Sequence, residues 1–206
     1  MIELEPEVAA SLFGDRIDLA RDFTRELGER GEALGLIGPL EAARLWSRHV
    51  LNCVLPAPLL RPGLVGDIGS GAGLPGIVLA IARPDVEFVL IEPMERRVEW
   101  LRSESARLGL DNVRVERARA EDAPLVERLD QVTARAVSSL AKLIPITAPL
   151  ARRGGELLFM KGARVEDELA AAAKQVRAAR LSRVEVVVLG QGIVPEVTRV
   201  FRATVD

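Results

Sequence analysis

The chain has 206 residues, of which 49% are hydrophobic and 28% are charged, and its formal net charge is −2. This length suits one well-filled domain with an appendage and excludes two full domains. A single cysteine excludes an internal disulfide, and one histidine with one cysteine does not make a typical zinc site, so we expect no metal. No apolar run approaches the length of a membrane span, and the acidic start lacks a signal pattern. We therefore expect a cytoplasmic protein without a membrane partner.

The first 60 residues carry apolar side chains at helical spacing. Such residues recur every three or four positions between 8 and 27, and a second helical stretch is predicted from about residue 40 to residue 55, where Pro56 ends it. Four glycines between the two stretches predict loops. We expect residues 1–60 to form a helical cap on a main domain of residues 61–206, the two making one structural unit.

Strand-like and helix-like segments alternate from residue 64 onward. The predicted strands are 64–68, 86–92, 112–116, 131–135, 155–160, 184–190 and 197–204, and the predicted helices are 75–83, 94–109, 122–129, 138–150 and 164–181. This alternation predicts a doubly wound parallel sheet whose ligands bind at the carboxyl ends of the strands. No helix separates the last two strands, which predicts a hairpin. The fold class is therefore α/β, Rossmann-like, with seven strands and an antiparallel last strand.

A glycine-rich turn (residues 69–75) joins the first predicted strand to the first helix of the main domain. The sequence there is Asp67-Ile68-Gly69-Ser70-Gly71-Ala72-Gly73-Leu74-Pro75-Gly76. Glycine tolerates a positive φ and lets backbone N–H groups approach a ligand without a Cβ in the way. Turns of this kind hold nucleotide-like cofactors, so Gly69, Gly71 and Gly73 are candidate cofactor contacts.

Two acids help to decide which cofactor the glycine turn binds. The turn also satisfies the dinucleotide pattern G-x-G-x-x-G, so a nicotinamide dehydrogenase is one alternative. Asp67, expected at the mouth of the turn, would repel a pyrophosphate, whereas it would attract S-adenosylmethionine, which carries a sulfonium and an ammonium but no phosphate. Glu92, at the end of the second strand, is placed to accept both ribose hydroxyls. We therefore favour a class I S-adenosylmethionine-dependent methyltransferase.

The ends of the third and fourth predicted strands supply further candidates. After the third strand, Glu121 or Asp122, with the backbone of Ala120, is placed where an adenine amino group needs an acceptor. The alternative is that these acids only begin the following helix. After the fourth strand stands Arg135, where many amine methyltransferases carry Asn-Pro-Pro-aromatic. Arginine reads the O6 and N7 acceptors of guanine, which suggests an acceptor with a free lone pair that needs orientation rather than a general base.

These motifs, in this order, resemble the ribosomal RNA small subunit methyltransferase G family, formerly glucose-inhibited division protein B. The resemblance rests on the glycine turn, Arg48-His49, Arg96-Arg97-Val98, Arg119-Ala120-Glu121, Ala134-Arg135-Ala136 and Met160-Lys161-Gly162. It implies S-adenosylmethionine-dependent methylation of guanine N7 in 16S ribosomal RNA, with that RNA or the small subunit as partner. It also implies that Gly69, Leu74, Ala120, Glu121 and Arg135 contact the cofactor, and that Arg119, Arg135 and Lys161 lie near the target guanine or its phosphates.

One loop departs from the family pattern. An aromatic-Asn-Leu-Thr motif is usual before the second N-terminal helix, and residues 34–38 read Leu-Gly-Leu-Ile-Gly instead.

The chain has no tyrosine, so base stacking would rely on Phe88, Trp100, Phe159 or arginine planes. His49, the only histidine, is either a packing residue or a functional one. Two alternatives remain open, a methyltransferase for a small metabolite and a noncatalytic module that binds cofactor or RNA, and we expect a monomer.

Overall fold

The computed structural model describes all 206 residues. The strands are β1 Leu64–Ile68, β2 Glu87–Ile91, β3 Val113–Glu116, β4 Leu129–Arg135, β5 Ala151–Lys161, β6 Leu181–Leu189 and β7 Thr198–Val205. The α-helices are α1 Val8–Phe13, α2 Ile17–Arg30, α3 Leu51–Val54, α4 Gly76–Ala82, α5 Glu95–Arg107, α6 Leu140–Thr147, α7 Val165–Ala171 and α8 Ala173–Ala178. All seven predicted strands are present. None of the helices has the length and apolar character that a membrane span requires.

The seven strands form one sheet in the order β3-β2-β1-β4-β5-β7-β6. The first five strands run parallel to one another, whereas β7 runs antiparallel to both β5 and β6. The predicted fold class and the antiparallel last strand are thus confirmed. The strand order reverses between β1 and β4, and in open α/β sheets ligands bind outside the carboxyl ends of the strands at such a point.

One predicted helix, 122–129, is wrong. A single 3₁₀ turn covers Ala120–Asp122, and an irregular segment follows until β4 begins at Leu129, two residues before its predicted start. Pro124 disfavours a helical conformation at Ala123, which is extended with a ψ of 135°, and Glu127 has a φ of +52°, which a right-handed helix does not allow. The N–H of Arg128 is shared between the local carbonyl of Leu125 and the distant carbonyl of Leu150, both 3.1 Å away. A tertiary hydrogen bond to the segment before β5 is therefore present where a regular helix would have only local ones.

The first 60 residues are largely helical, and their second helical stretch is less regular than expected. That stretch consists of a 3₁₀ turn, a π-helical segment at Leu45–Val50, and the short α3. Buried cap residues such as Phe23 and Leu27 belong to the same hydrophobic cluster as Ile77 and Phe88 of the main domain. Arg83 adds polar tethers, since its Nη1 donates to the carbonyls of Ala57 and Leu60, 2.7 Å away in each case. The cap is thus packed on one face of the sheet.

The aromatic residues considered for base stacking lie in the core. Phe88, Phe159 and Trp100 are at most 5% exposed. Phe159 stacks on Phe201 across the β5–β7 pair, with ring centroids 5.7 Å apart. These rings are part of the core, so of the groups considered for base stacking only the arginine planes remain exposed.

Candidate active site

The glycine turn has the backbone conformation that its sequence predicts. The φ angles of Gly69, Gly71 and Gly73 are +68°, +55° and +93°, a region that side chains disfavour. A Cβ at Gly69 would lie 2.9 Å from a methyl group of Val137, whereas at Gly71 no atom comes closer than 3.7 Å. A side chain would therefore clash at Gly69, whereas at Gly71 a Cβ would make only ordinary contacts.

Asp67 lies beneath the glycine turn rather than at its mouth. Its side chain is fully buried, and its Oδ2 accepts a hydrogen bond from the N–H of Gly76, 3.1 Å away. Its Oδ1 has no hydrogen-bond partner. The expectation of an exposed acid is thus wrong, because the carboxylate is used to fix the first residue of α4.

Burial raises the pKa of Asp67 from its ordinary value of 3.8 to about 7, and the charge of Glu92 adds to this shift. The folded state then binds a proton more tightly than the unfolded state, so this group stabilises the fold at low pH. Its contribution is lost as pH rises towards 7, with a slope of at most about 1.4 kcal/mol per pH unit.

Replacing Asp67 by asparagine is expected to remove this pH dependence. The free energy of unfolding of wild type minus that of Asp67→Asn should fall as pH rises from about 5 to about 7 and then level off, as the linkage relation requires. Urea denaturation at a series of pH values measures the difference. A difference that does not change with pH would show that Asp67 is ionised in the folded protein throughout this range.

Glu92 secures the other side of the glycine turn. It is 2% exposed, its Oε2 accepts a hydrogen bond from the N–H of Gly71 at 3.0 Å, and its Oε1 accepts one from the N–H of Met94 at 2.9 Å. Arg97 lies 3.9 Å from the same carboxylate. A carboxylate has about four lone-pair sites, so two remain after these bonds. Glu92 can thus hold the turn and still accept hydrogen bonds from a ligand.

Two clefts open beside the carboxyl ends of the strands. The first cleft, about 350 Å³, follows β1, β2 and β3, and its lining includes Gly69, Glu92, Arg119, Ala120 and Glu121. The second cleft, about 690 Å³, lies between the cap, the ends of β4 and β5 and the β6–β7 loop, and its lining includes Arg48, Arg135, Lys161, Glu196 and Arg199. A third cavity, about 630 Å³, lies at the opposite end of the sheet, away from these residues.

Ala136 lines both clefts, directly after β4. Its φ is +56°, an uncommon value for a residue other than glycine. The two clefts therefore meet at this residue. The remaining predicted contacts, Asp67, Gly71, Gly73 and Leu74, line neither cleft. Leu74 packs instead on the hydrophobic cluster shared with the cap.

Arg135 is held by the N-terminal cap. Its Nη1 donates to the Sγ of Cys53 at 3.2 Å, and its Nη2 donates to the carbonyl of Arg48 at 3.2 Å and to Nδ1 of His49 at 2.6 Å. These contacts span more than 80 residues of sequence, so no local pattern could have predicted them. Arg135 and His49, both singled out in the sequence, are thus brought together.

Lys161 is more enclosed than the sequence predicts. Its side chain is 9% exposed, and its Nζ donates to the carbonyl of Ser138 at 2.8 Å and lies 2.7 Å from Oε2 of Glu168. The same carboxylate accepts a hydrogen bond from the N–H of Leu140 at 3.1 Å. Lys161 and Glu168 therefore fix the loop between β4 and α6. Sequence reasoning missed Glu168, which only its fold position distinguishes from the neighbouring acids.

Trp100 ties α5 to the glycine turn, because its indole N–H donates to the carbonyl of Ala72 at 3.0 Å. Replacing Trp100 by phenylalanine keeps a ring but removes this bond. We expect a loss of about 1 kcal/mol in the free energy of unfolding and a several-fold weaker affinity for a ligand on the turn. Trp46→Phe is the matched control, since Trp46 is also buried but its indole makes no such bond. Equal effects of the two changes on ligand affinity would contradict this role of Trp100.

The fold and the site define a class of protein. A structure of an S-adenosylmethionine-dependent methyltransferase from Aquifex aeolicus matches with a TM-score of 0.56 at 19% identity, covering 90% of this chain and 98% of that one. An S-adenosylmethionine-dependent O-methyltransferase from Thermotoga maritima matches with a TM-score of 0.57 at 17% identity, covering 75% of this chain and 64% of that one. The chain has the class I S-adenosylmethionine-dependent methyltransferase fold, as the sequence predicted.

Sequence comparison narrows this class to a family. Residues 16–197 match the family described as rRNA small subunit methyltransferase G. A relative named ribosomal RNA small subunit methyltransferase G from Clavibacter michiganensis subsp. michiganensis is 68% identical, covering 100% of this chain and 97% of the relative. A relative of the same name from Leifsonia xyli subsp. xyli is 64% identical, covering 99% of this chain and 98% of the relative. The chain belongs to the rRNA small subunit methyltransferase G family.

Proposed function

We propose that this protein transfers a methyl group from S-adenosylmethionine to N7 of a guanine in the 16S ribosomal RNA of the small subunit. The observation that carries the proposal is the meeting of two different clefts at Ala136: Gly69 of the glycine turn and two acids line one, and four basic side chains line the other. Family membership supports ribosomal RNA of the small subunit as the substrate. The choice of N7 rests on the family resemblance and on the arginine at the end of β4.

The residues around the first cleft fit S-adenosylmethionine. Arg97, which lines this cleft, has a buried Nε without a partner, and Asp67 Oδ1 beneath the turn is another such atom. A Cβ at Gly71 would meet no atom closer than 3.7 Å. When bound, the cofactor supplies an electrophilic methyl group on a sulfonium sulfur. The proposed cofactor contacts are Asp67, Gly69, Gly71, Gly73, Leu74, Glu92, Ala120 and Glu121. Of these, Asp67 would act from beneath the turn, and Gly71 and Gly73 through its backbone. Arg135, which the resemblance also implies as a cofactor contact, lines only the second cleft, so we assign it to the RNA side of the site.

The proposed reaction needs no general base. The lone pair of guanine N7 attacks the methyl carbon, the carbon–sulfur bond breaks, and its electron pair stays on sulfur. N7 carries no proton to lose, so the methylated base bears a positive charge. Catalysis then depends on holding N7 in line with the breaking bond. Ala136 begins the loop that Lys161 and Glu168 hold in place, and we propose that this loop sets that geometry.

The basic side chains would bind the RNA. Arg48 and Arg199 line the second cleft with Arg135, and Arg119 is exposed at the first cleft. Arginines bind phosphate oxygens and the O6 and N7 edge of guanine. Lys161 is paired with Glu168, so we assign it to positioning the loop near the target base rather than to phosphate binding. RNA binding by a local basic surface should weaken steeply with salt.

A methyl-transfer assay tests this function. Labelled S-adenosylmethionine is supplied with small ribosomal subunits, with naked 16S RNA prepared from a strain lacking this gene, and with a panel of nucleosides and small metabolites. We expect label in the RNA of the first or second substrate, falling as salt rises. Label in a small molecule, insensitive to salt, would replace the proposal with a metabolite methyltransferase. RNA binding without transfer would indicate a noncatalytic module.

A further inference from the structure

We propose that Glu41 and His49 form a positioning pair that orients Arg135 at the second cleft while leaving its positive charge available to the substrate. This inference rests on the proposed function for its role in methyl transfer. The contacts themselves stand on the geometry. They connect the cap, through one imidazole ring, to the strand end where the two clefts meet.

The contacts of His49 define its tautomer. Nδ1 lies 2.6 Å from Nη2 of Arg135, and Nε2 lies 2.5 Å from Oε2 of Glu41. A guanidinium has only donors, so Nδ1 must accept, and the proton of the neutral ring must then lie on Nε2. The Nε2–H donates to the carboxylate of Glu41. The ring is thus fixed on both sides, and its side chain is only 13% exposed.

The three groups that accept hydrogen bonds from Arg135 carry no charge. They are the thiol of Cys53, the carbonyl of Arg48 and the neutral ring of His49. Burial raises the pKa of the Cys53 thiol, which keeps it protonated. Lys161 is the contrast, because Glu168 neutralises it directly. An imidazole between Glu41 and Arg135 therefore orients the guanidinium without cancelling its charge, which is what a group facing guanine or phosphate requires.

Protonation of His49 would break this arrangement. Burial and the charges of Arg135 and Arg48 lower its pKa, whereas Glu41 raises it. Arg44 and His49 hold the pKa of Glu41 at about 2, so the carboxylate is ionised near neutral pH. In acid the ring would gain a proton on Nδ1, and two donors would face each other at the Arg135 contact. Arg48 lies between two acids, with its Nε 3.9 Å from Oε2 of Glu41 and its Nη1 3.4 Å from Oε2 of Glu196.

The single histidine of the chain allows a direct test in protein without a histidine tag. Imidazole ¹⁵N NMR reports the tautomer and pKa of His49, and kcat for methyl transfer is measured over the same pH range. We expect the Nε2–H tautomer, and a fall in kcat in acid that coincides with the titration of His49. The Nδ1–H tautomer, or an acid fall in kcat unrelated to that titration, would overturn the proposal.

Variants separate positioning from simple packing. His49→Ala should lower kcat by about 100-fold, the cost of a misplaced group, while S-adenosylmethionine affinity stays within a few-fold. His49→Asn keeps an acceptor at the Nδ1 position and should recover most of kcat without the acid fall. Glu41→Gln removes the charge that raises the His49 pKa, so the acid fall should move to lower pH. Arg44→Gln, which breaks the ion pair between Arg44 and Glu41 and leaves the carboxylate of Glu41 on His49, is the control.

The outcomes keep this inference apart from the proposed function. If wild type transfers no methyl group at any pH, the proposed function fails, and NMR still decides whether His49 holds Arg135. If wild type is active but Glu41→Gln keeps the wild-type pH profile, the positioning pair is wrong. Should His49→Ala fail to fold, His49→Asn and Glu41→Gln decide the question.

Discussion

Replacing Glu92 by alanine is expected to weaken S-adenosylmethionine binding by about 100-fold, which corresponds to about 2.7 kcal/mol. Glu92 accepts hydrogen bonds from the N–H groups of Gly71 and Met94, so its loss frees the backbone of the glycine turn at Gly71. It also removes the proposed acceptor for the ribose hydroxyls. Bonds to a buried charged group are worth about 1.5–3 kcal/mol each, so one of them suffices for the expected effect. Isothermal titration calorimetry with S-adenosylmethionine measures the change.

Two further variants make the result interpretable. Glu87→Ala, at the exposed start of the same strand, should leave the affinity unchanged. Glu92→Gln keeps one acceptor but loses the charge, so an intermediate affinity is expected. Wild-type affinity in Glu92→Ala, in protein that remains folded by circular dichroism, would place the cofactor elsewhere.

Replacing Arg135 by lysine is expected to lower kcat for methyl transfer by about 100-fold, because a misplaced reacting geometry costs this much. Lysine keeps the charge but not the planar fork that donates to the cap from two nitrogens. Since Arg135 lines the second cleft and not the first, S-adenosylmethionine affinity should change only a few-fold. Single-turnover transfer to RNA, with affinity measured separately, distinguishes the two effects.

Arg83→Lys is the matched control for Arg135→Lys. Arg83 also donates from one guanidinium to cap carbonyls, but it lies at the end of α4, away from the clefts. For Arg83→Lys we expect the free energy of unfolding to fall about as much as in Arg135→Lys, because both changes remove hydrogen bonds to the cap, while kcat stays unchanged. If Arg135→Lys methylates at the wild-type rate, Arg135 has no part in the reaction beyond holding the cap.

The sheet and the glycine turn could be predicted from the sequence because their signals are local. Apolar runs mark the strands, and a ligand-binding turn requires glycines at fixed positions, so β1 begins and ends where predicted. The wrong helix at 122–129 shows the limit of such signals. Its acids and apolar residues suit a helix, but Pro124 and the hydrogen bond from Arg128 to Leu150 outweigh them.

The environment of each candidate side chain could be predicted less well. Arg135 and Lys161 are placed by strand ends, which the sequence indicates, yet their partners come from distant segments. The burial of Asp67 is a similar case, because only packing decides that its carboxylate faces Gly76 rather than solvent. Sequence therefore indicated some of the residues that line the clefts, such as Glu92 and Arg135, but neither the position of Asp67 nor the ion pair of Lys161.

The most direct test of the account is to map the methyl group on the RNA. After transfer to small ribosomal subunits or 16S RNA, treatment with borohydride and aniline cleaves the chain at 7-methylguanosine. We expect label at one cleavable guanine, and an initial rate of labelling about 100-fold lower when Arg135→Lys is used at the same enzyme concentration. Label in RNA that the treatment does not cleave would contradict N7 as the acceptor. If neither the small subunits nor the 16S RNA were labelled, the proposed function itself would be contradicted.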